Sequence, residues 1–335
     1  MDAAPDPDLA AFALDAGLVR VSEAPVWTAL NAGVSSEIWR LDAGPRSYCL
    51  KRPLAKLRTA ADWRAPVARF LYEWRWFELA GRLVPGAAPP LVALDEARGC
   101  FAMAFLPPDD YPLWKPQLMA GRAEPASAAA VGARLAAVHA ATASAPDIAA
   151  QFPTDSIFHA LRIDAYLLAA ARNRPEVSAE LEALARRTAA TRLALVHGDA
   201  SPKNILIGPD GPVFLDAETA WWGDPAFDAA FCLNHLMLKQ LAVPRARAGL
   251  EACFAAFTEA YLPTVDWEPQ ADFEARAASL LPGLMLARVD GKSPVEYITA
   301  AADRDLIRGF AIRFLRTPPE RLSELACAWT AALGG

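Results

Sequence analysis

The chain has 335 residues, 54% hydrophobic and 21% charged, which excludes disorder throughout and at about 150 residues per domain suggests two units. Its 33 basic side chains against 39 acidic ones leave a formal charge of −6, so the broad basic face of a nucleic-acid binder is not expected. The five cysteines form no CxxC pair and read as reduced thiols. No apolar run approaches the roughly 18 residues that span a bilayer, and the opening MDAAPDPDLA lacks the parts of a signal peptide, so a cytoplasmic chain without a membrane partner is expected.

Residues 8–17 read as a short helix stopped by Gly17, and residues 25–53 as strands. Within the latter, Asn31–Ser36 is a small-residue loop, and Asp42-Ala43-Gly44-Pro45 is a turn joining two strands into a hairpin. A helix is expected over 66–80, with Pro66 in its first turn, Gly81 as its stop, and Phe70, Trp74 and Phe77 as its buried stripe. Two more strands, Leu91–Leu94 and Cys100–Leu106, precede the break Pro107-Pro108-Asp109-Asp110, which divides the chain into residues 1–106 and 107–335. Beyond it, helices are expected over 125–143, 155–172, 175–190, 226–241, 245–262, 270–289, 294–315 and 318–333. They are interrupted by strands at Leu193–Val196, Asn204–Ile207 and Val213–Leu215, the last two joined by Pro209-Asp210-Gly211. The fold class is α+β, a small β-rich unit on a larger helical one.

That interruption carries the densest polar set in an apolar setting. Asp199, Asn204 and Asp216 each stand just outside a short apolar strand, where side chains project into a cleft while the strands stay anchored. Two carboxylates and an amide oxygen brought together call for a hard cation, and Mg2+ takes oxygen ligands while leaving room for nucleotide phosphates. An Asp, an Asn five residues on and a second Asp 12 residues later is the spacing of kinase-type phosphoryl transfer. The plain structural alternative makes Asp199 a turn cap and Asp216 a helix cap.

His197-Gly198-Asp199-x-x-Pro202-x-Asn204-Ile205-Leu206, Leu215-Asp216-x-Glu218 and Gly223-Asp224-Pro225-x-x-Asp228 resemble the aminoglycoside phosphotransferase and choline kinase family of small-molecule kinases. The resemblance runs over about residues 25–330, and departs at Ala200 and Ala217, where the family often has bulkier side chains. It implies a two-lobed, protein-kinase-like fold and the cofactors ATP and Mg2+. Asp199 would orient the attacking hydroxyl and accept its proton, and Asn204 and Asp216 would hold the metal. Glu218 is left with two roles, a second metal or orientation of the loop. His197 is expected to brace the loop rather than move a proton. Asp228 would anchor the catalytic loop or serve as a helix N-terminal acid.

For the phosphates, Lys51 at a strand end is the expected cation, with Glu73 in mid-helix as its partner; Lys56 and Glu78 are the competitors. Gly33 and Ser35 belong to the loop that would cover the phosphates, and the backbone of Ala104 and Leu106 would hold adenine at the hinge.

Other features read as structural. Gly291-Lys292-Ser293 lacks the first glycine of a phosphate-binding loop and has no strand before it; Ser293-Pro294-Val295-Glu296 reads as a helix-opening capping box. His139 reads as a satisfied core histidine. The C-terminal helices are rich in arginine, which disfavours a polycationic acceptor, unless they form no more than a solvated face. Arg288 and Asp290 are candidate acceptor contacts, and Trp221 either walls the pocket or belongs to the core. The expected activity is transfer of the γ-phosphoryl group of ATP to a hydroxyl of a small-molecule metabolite. The alternatives are an aminoglycoside-modifying kinase and a non-catalytic kinase-like nucleotide-binding protein. The expected partner is a small hydroxylated molecule, with a homodimer left open.

Overall fold

The computed structural model describes residues 5–20, 22–30, 35–56 and 66–334. Helix α1 (Pro7–Asp15) is capped by Asp6, whose carboxylate accepts the Asp8 amide at 2.9 Å. Strands β1 (Val26–Ala29), β2 (Ser36–Ala43) and β3 (Arg46–Pro53) pair antiparallel. The turn between β2 and β3 rests on Gly44, at φ +60°, where a Cβ would be strained. After helix α2 (Arg69–Leu83), strands β4 (Leu91–Asp95) and β5 (Cys100–Ala104) complete a five-stranded sheet in the order β1-β2-β3-β5-β4.

Strand periodicity decides what each face of this sheet does. Trp39, Leu41, Leu50 and Cys100 point toward Leu9 and Phe12 of α1. Cys49 and Phe101 point the other way and share a core with Phe70, Trp76 and Phe77 of α2. Lys51, two residues after Cys49, therefore faces α2. The buried stripe of α2 runs Arg69, Phe70, Glu73, Trp76, Phe77 and Ala80. Trp76, not the expected Trp74, lies at its centre; Trp74 sits half-buried on the flank, edge-on to Phe101. The helix also passes through the expected stop at Gly81 to Leu83, where the Val84 amide closes it on the Ala80 carbonyl at 2.8 Å.

The remainder is helical apart from four short strands. Helices α3 (Trp114–Met119), α4 (Pro125–Thr142) and α5 (Pro146–Ala149) come first. Helix α6 (Asp155–Phe158) runs through a π-helical stretch, His159–Leu168, into α7 (Ala169–Asn173), and α8 (Ser178–Ala190) follows. Strand β6 (Ala194–Val196) pairs with β9 (Trp221–Gly223), which is not evident from the sequence; between them β7 (Ile205–Gly208) and β8 (Gly211–Phe214) form the expected hairpin. Helix α9 (Pro225–Ala242) is buried from Pro225 to Gln240 and is the central helix, packed by α10 (Arg247–Tyr261) and α11 (Gln270–Asp290). Helices α12 (Ala301–Arg316) and α13 (Leu322–Gly334) close the chain.

The helix expected over 270–289 forms as α11 with Pro282 inside it, since residues 277–288 are buried and tertiary packing overrides the lost hydrogen bond. One expectation fails near the end. The capping-box sequence at Ser293 opens no helix: α12 starts only at Ala301, and the Glu296 carboxylate reaches Lys115 at 2.5 Å instead of an N-terminal amide. Among the described residues no helix is long and apolar enough to cross a membrane.

Helices α4 and α10 meet at Gly132, where a Cβ would lie 2.5 Å from the Phe257 carbonyl oxygen. Gly132→Ala is expected to lower unfolding free energy by about 1–3 kcal/mol through overpacking, read as a reduced denaturant midpoint. An unchanged midpoint would mean that the two helices can separate at no cost.

Candidate functional site

The site is built on the segment between β6 and α9, and its foundation is Asp228. Helix α9 is capped by Asp224, which accepts the Ala226 amide at 3.0 Å, and this sets the first turn that carries Asp228. Asp228 is fully buried. Its two oxygens accept the amides of His197 at 2.6 Å and Gly198 at 2.8 Å, and His139 Nε2 lies 3.3 Å away. His139 Nδ1 meets the Tyr261 hydroxyl at 2.6 Å, so this histidine is a satisfied core group, as its sequence setting suggests. Gly198 has φ +78°, and a Cβ there would lie 2.5 Å from the Thr219 carbonyl oxygen; only glycine allows the two loops to approach so closely.

His197 has both ring nitrogens engaged. Nδ1 accepts the Asp199 amide at 3.1 Å, so Nε2 carries the proton and donates to the Leu215 carbonyl at 3.0 Å. The ring ties the loop before Asp199 to the strand end before Asp216, with Trp76 of α2 edge-on at 4.8 Å. Burial holds its pKa below the ordinary value, which keeps it neutral and unsuited to proton transfer.

Asp199 emerges from this loop almost wholly buried. Its Oδ2 is held by Arg162 at 3.1 Å and Lys203 at 3.0 Å, while Oδ1 is buried with no hydrogen-bond partner among the described residues. Burial pushes the carboxyl up, but Arg162 and Lys203 outweigh it and hold the group below the ordinary range. Asn204 donates its amide to the Asp199 carbonyl at 3.0 Å, which leaves its side-chain oxygen as the atom available to a ligand. The Leu215 amide donates to the Asn204 carbonyl at 2.8 Å, and this backbone bond brings Asn204 alongside Asp216. Asp216 takes φ +63°, a left-handed conformation that costs an aspartate about 1 kcal/mol or more, a kind of strain that clusters at functional sites.

From the sheet side, Lys51 comes between two carboxylates. Its Nζ donates to Glu73 at 2.7 Å and to one oxygen of Asp216. Burial alone would lower the Lys51 pKa; Asp216 and Glu73 reverse this and raise it. Burial also raises the Asp216 pKa, but Lys51 and Lys203 bring it well below the usual range. Glu73, deeper and also facing Asp216 and Glu218, is pushed up to about 8 chiefly by burial, with Lys51 opposing. The oxygens of Asp216 and Asn204 form the hard-donor set that suits Mg2+. Glu218 is engaged elsewhere: its Oε2 accepts from Arg69 Nε at 2.8 Å. Arg69, fully buried, also donates to the carbonyls of Ser35 at 2.6 Å and Leu54 at 2.7 Å. Ser35 is thus fastened by its backbone, and Gly33 lies outside the described residues. The Ala104 amide is committed to the Pro90 carbonyl at 2.8 Å, so it cannot also donate to a base, as the expected hinge role would require. Leu106, just beyond β5, lines a cavity of about 580 Å³ with Trp74, Tyr111 and Arg134.

Three basic residues of the site were not singled out from the sequence. Lys203 stood inside the motif, one residue before Asn204. Arg162 comes from the π-helical stretch, where the altered turn hides helical periodicity, and it also donates to the Gly198 carbonyl. Arg69 gave no signal beyond its position one turn before Glu73. The expected acceptor contacts part company. Asp290 is held by Arg308 at 2.7 Å and by Arg174 at 2.5 Å, a fastening at the end of α11. Trp221 is core, stacked on Phe158 at 4.2 Å, with its indole donating to Asp155. Arg288 is buried against Tyr166 and Ser293.

The profile of the phosphotransferase enzyme family matches residues 26–268. A search of curated protein sequences found no match. Among solved structures, an aminoglycoside phosphotransferase from Alicyclobacillus acidocaldarius subsp. acidocaldarius is similar over 100% of this chain and 97% of its own, with 16% identity and a TM-score of 0.53. An amicoumacin kinase in complex with AMP-PNP, Ca2+ and Ami covers 95% of this chain and 96% of its own, at 14% identity and a TM-score of 0.52. The streptomycin–ATP–APH(2″)-IIa ternary complex covers 95% of this chain and 98% of its own, at 13% identity and a TM-score of 0.50. At these identities the likeness concerns the fold.

Removing the Asp228 carboxylate would leave two buried amides without acceptors. Asp228→Ala is expected to lose about 3 kcal/mol of stability or more, measured by denaturant titration. The His197 ring makes a pH prediction. Its folded pKa lies below the ordinary 6.5, so its contribution to stability is complete above that pH. The contribution is lost as pH falls toward the folded value, because the unfolded chain takes the proton first. The Tm of the native chain is therefore expected to fall more steeply below pH 6.5 than that of His197→Gln; parallel slopes would contradict the neutral, doubly bonded ring.

Proposed function

The chain belongs to the phosphotransferase enzyme family, and on that premise we propose that it transfers the γ-phosphoryl group of ATP to a hydroxyl of a small molecule. The observation that carries this reading is Asp199 Oδ1, a carboxylate oxygen buried without a partner among the described residues, beside the Lys51–Asp216 pair. A buried acceptor left open is costly unless a ligand completes it, and an attacking hydroxyl is the donor this chemistry supplies.

In this reading the nucleotide lies between residues 1–106 and 107–335. Lys51, held in place by Glu73, meets the phosphates, and the segment containing Gly33 and Ser35 covers them. Ala104 and Leu106 offer the backbone at the hinge, the carbonyl rather than the amide in the case of Ala104. Asn204 and the free oxygen of Asp216 would hold Mg2+, which when bound neutralises charge on the phosphates. The Arg69 ion pair makes Glu218 a residue that orients the Asp216 loop. Asp199 aligns the hydroxyl and takes its proton as the new bond forms. Its depressed pKa suits a group that positions the nucleophile and accepts the proton late. Arg162 and Lys203 fix Asp199 Oδ2 and so aim Oδ1. Catalysis is positioning and electrostatics, with no covalent intermediate.

Two variants separate binding from turnover. Asp199→Ala is expected to retain stabilisation by ADP with Mg2+ in a thermal shift, while ADP release falls by roughly a thousandfold with an accepted substrate. Asp216→Ala is expected to lose the Mg2+-dependent part of nucleotide binding. Native turnover in Asp199→Ala would sink the mechanism.

A further inference from the structure

A line of cations leads away from Asp199 into the helical part. Arg162, which holds Asp199, lies 5.7 Å from the centre of the Tyr166 ring and 6.0 Å from that of Phe231. Arg288 lies 5.4 Å from the same Tyr166 ring and donates to its hydroxyl at 3.1 Å. Along α9, Phe231, His235 and Lys239 recur every four residues and form one stripe. The Phe231 and His235 rings are 5.5 Å apart, edge to face. His235 Nδ1 and Lys239 Nζ both reach the Tyr297 hydroxyl, at 3.0 Å and 3.3 Å.

What is unusual is the charge. Lys239 is 1% exposed and Arg288 7%, yet among the described residues neither has a carboxylate within ion-pair distance. Lys239 has only the Tyr297 hydroxyl and, at 4.6 Å, its ring. Arg288 has Tyr166 and the hydroxyl and carbonyl of Ser293, and its Nε is buried without a partner. His235 Nε2 is likewise buried without a partner. The other charged groups that act on this cluster are Lys203, Lys115 and Glu296; Lys203 serves Asp199, and Glu296 is taken by Lys115 at 2.5 Å. Burial, followed by the charge of Lys115, lowers the Lys239 pKa to about 7, with Glu296 opposing. Buried cations of this kind are destabilising until a counter-charge arrives.

We propose that Lys239, His235 and Arg288 form a subsite for an anionic group of the phosphoryl acceptor, a carboxylate or a phosphate, so that the substrate is a hydroxylated acid rather than an amino sugar. The inference rests on the phosphotransfer reading above, which supplies the hydroxyl end at Asp199. One aromatic ring, Tyr166, separates the guanidinium that fixes Asp199 from Arg288. The acceptor therefore need be no longer than a small metabolite. A polycation would bring more positive charge to a wall that already lacks anions.

The experiment measures Tm with ADP and Mg2+ saturating, titrating sodium phosphate and, separately, sodium acetate against sodium chloride at equal ionic strength. The ADP-dependent shift is recorded first without added anion; its absence would count against phosphotransfer itself, not against the subsite. Phosphate or acetate is expected to raise Tm saturably beyond chloride, and the stronger of the two identifies the group. Lys239→Met is expected to weaken that response by roughly tenfold or more while leaving the anion-free Tm unchanged or higher, since it removes an uncompensated buried charge. A residue kept for structure would show the reverse. If Lys239→Met does not fold, Arg288→Gln is read by the same criterion. The His235 imidazole nitrogen shifts of the native chain, followed by NMR, must also move over the same concentration range. A native response no larger than with chloride, a variant with the native midpoint, or unmoved His235 shifts would each overturn the subsite. So would an aminocyclitol as the best acceptor in an ADP-release screen that also contains hydroxy acids and sugar phosphates.

Discussion

The Lys51 ammonium, buried between the carboxylates of Glu73 and Asp216, is what lets a sheet, a helix and the loop that carries Asp216 share one water-poor interior. Without it two like charges would face each other where solvent screens them little. A second bridge, Arg69 to Glu218, joins the same two parts of the chain and also gathers the backbone at Ser35 and Leu54. Buried ion pairs of this kind add little net stability, because desolvation offsets attraction. Their effect is geometric: they set where the sheet sits relative to the loop, and so where phosphates meeting Lys51 would lie relative to Asp199.

Around these bridges the site separates groups that are completed by the protein from groups left open. Asp228, His197 and Gly198 have their hydrogen bonds or their space fully used, and they hold the loop rigid. Among the described residues Asp199 Oδ1 is left open, and the side-chain oxygen of Asn204 is left to accept. A rigid support under a few unsatisfied atoms is the arrangement that preorganised electrostatics requires. The strained φ of Asp216 belongs to the same pattern, held in place by Lys51 on one side and the β8 strand on the other.

The overall acidity of the chain hides a local inversion. A net charge of −6 says nothing about the wall beside Tyr166, where Arg162, Arg288 and Lys203 gather. Shared fold with enzymes whose structures contain antibiotics therefore leaves acceptor chemistry open, since specificity resides in such walls and not in the scaffold.

Much of the chemistry could be read from residue order, because the motif is local. Asp199, Asn204 and Asp216 lie within 18 residues, on a strand–turn–strand frame whose turn residues are unmistakable. The α+β order and the Gly44 turn were legible because periods and turn residues are local, whereas the meeting of Lys51 with Glu73 was expected only from the kinase-like resemblance. The rest was settled by contacts between distant segments. Arg69 reaches Glu218 across 149 residues and Arg162 reaches Gly198 across 36, and no periodicity encodes such pairings. Trp76 displaced Trp74 from the interior because His197 and Phe214 came to lie beneath it. The Ser293 segment has every local mark of a helix start, yet remains a loop because Arg288 and Lys115 draw its polar groups away. A buried arginine and a solvated one look alike in one dimension; only packing decides whether water or another side chain answers the charge.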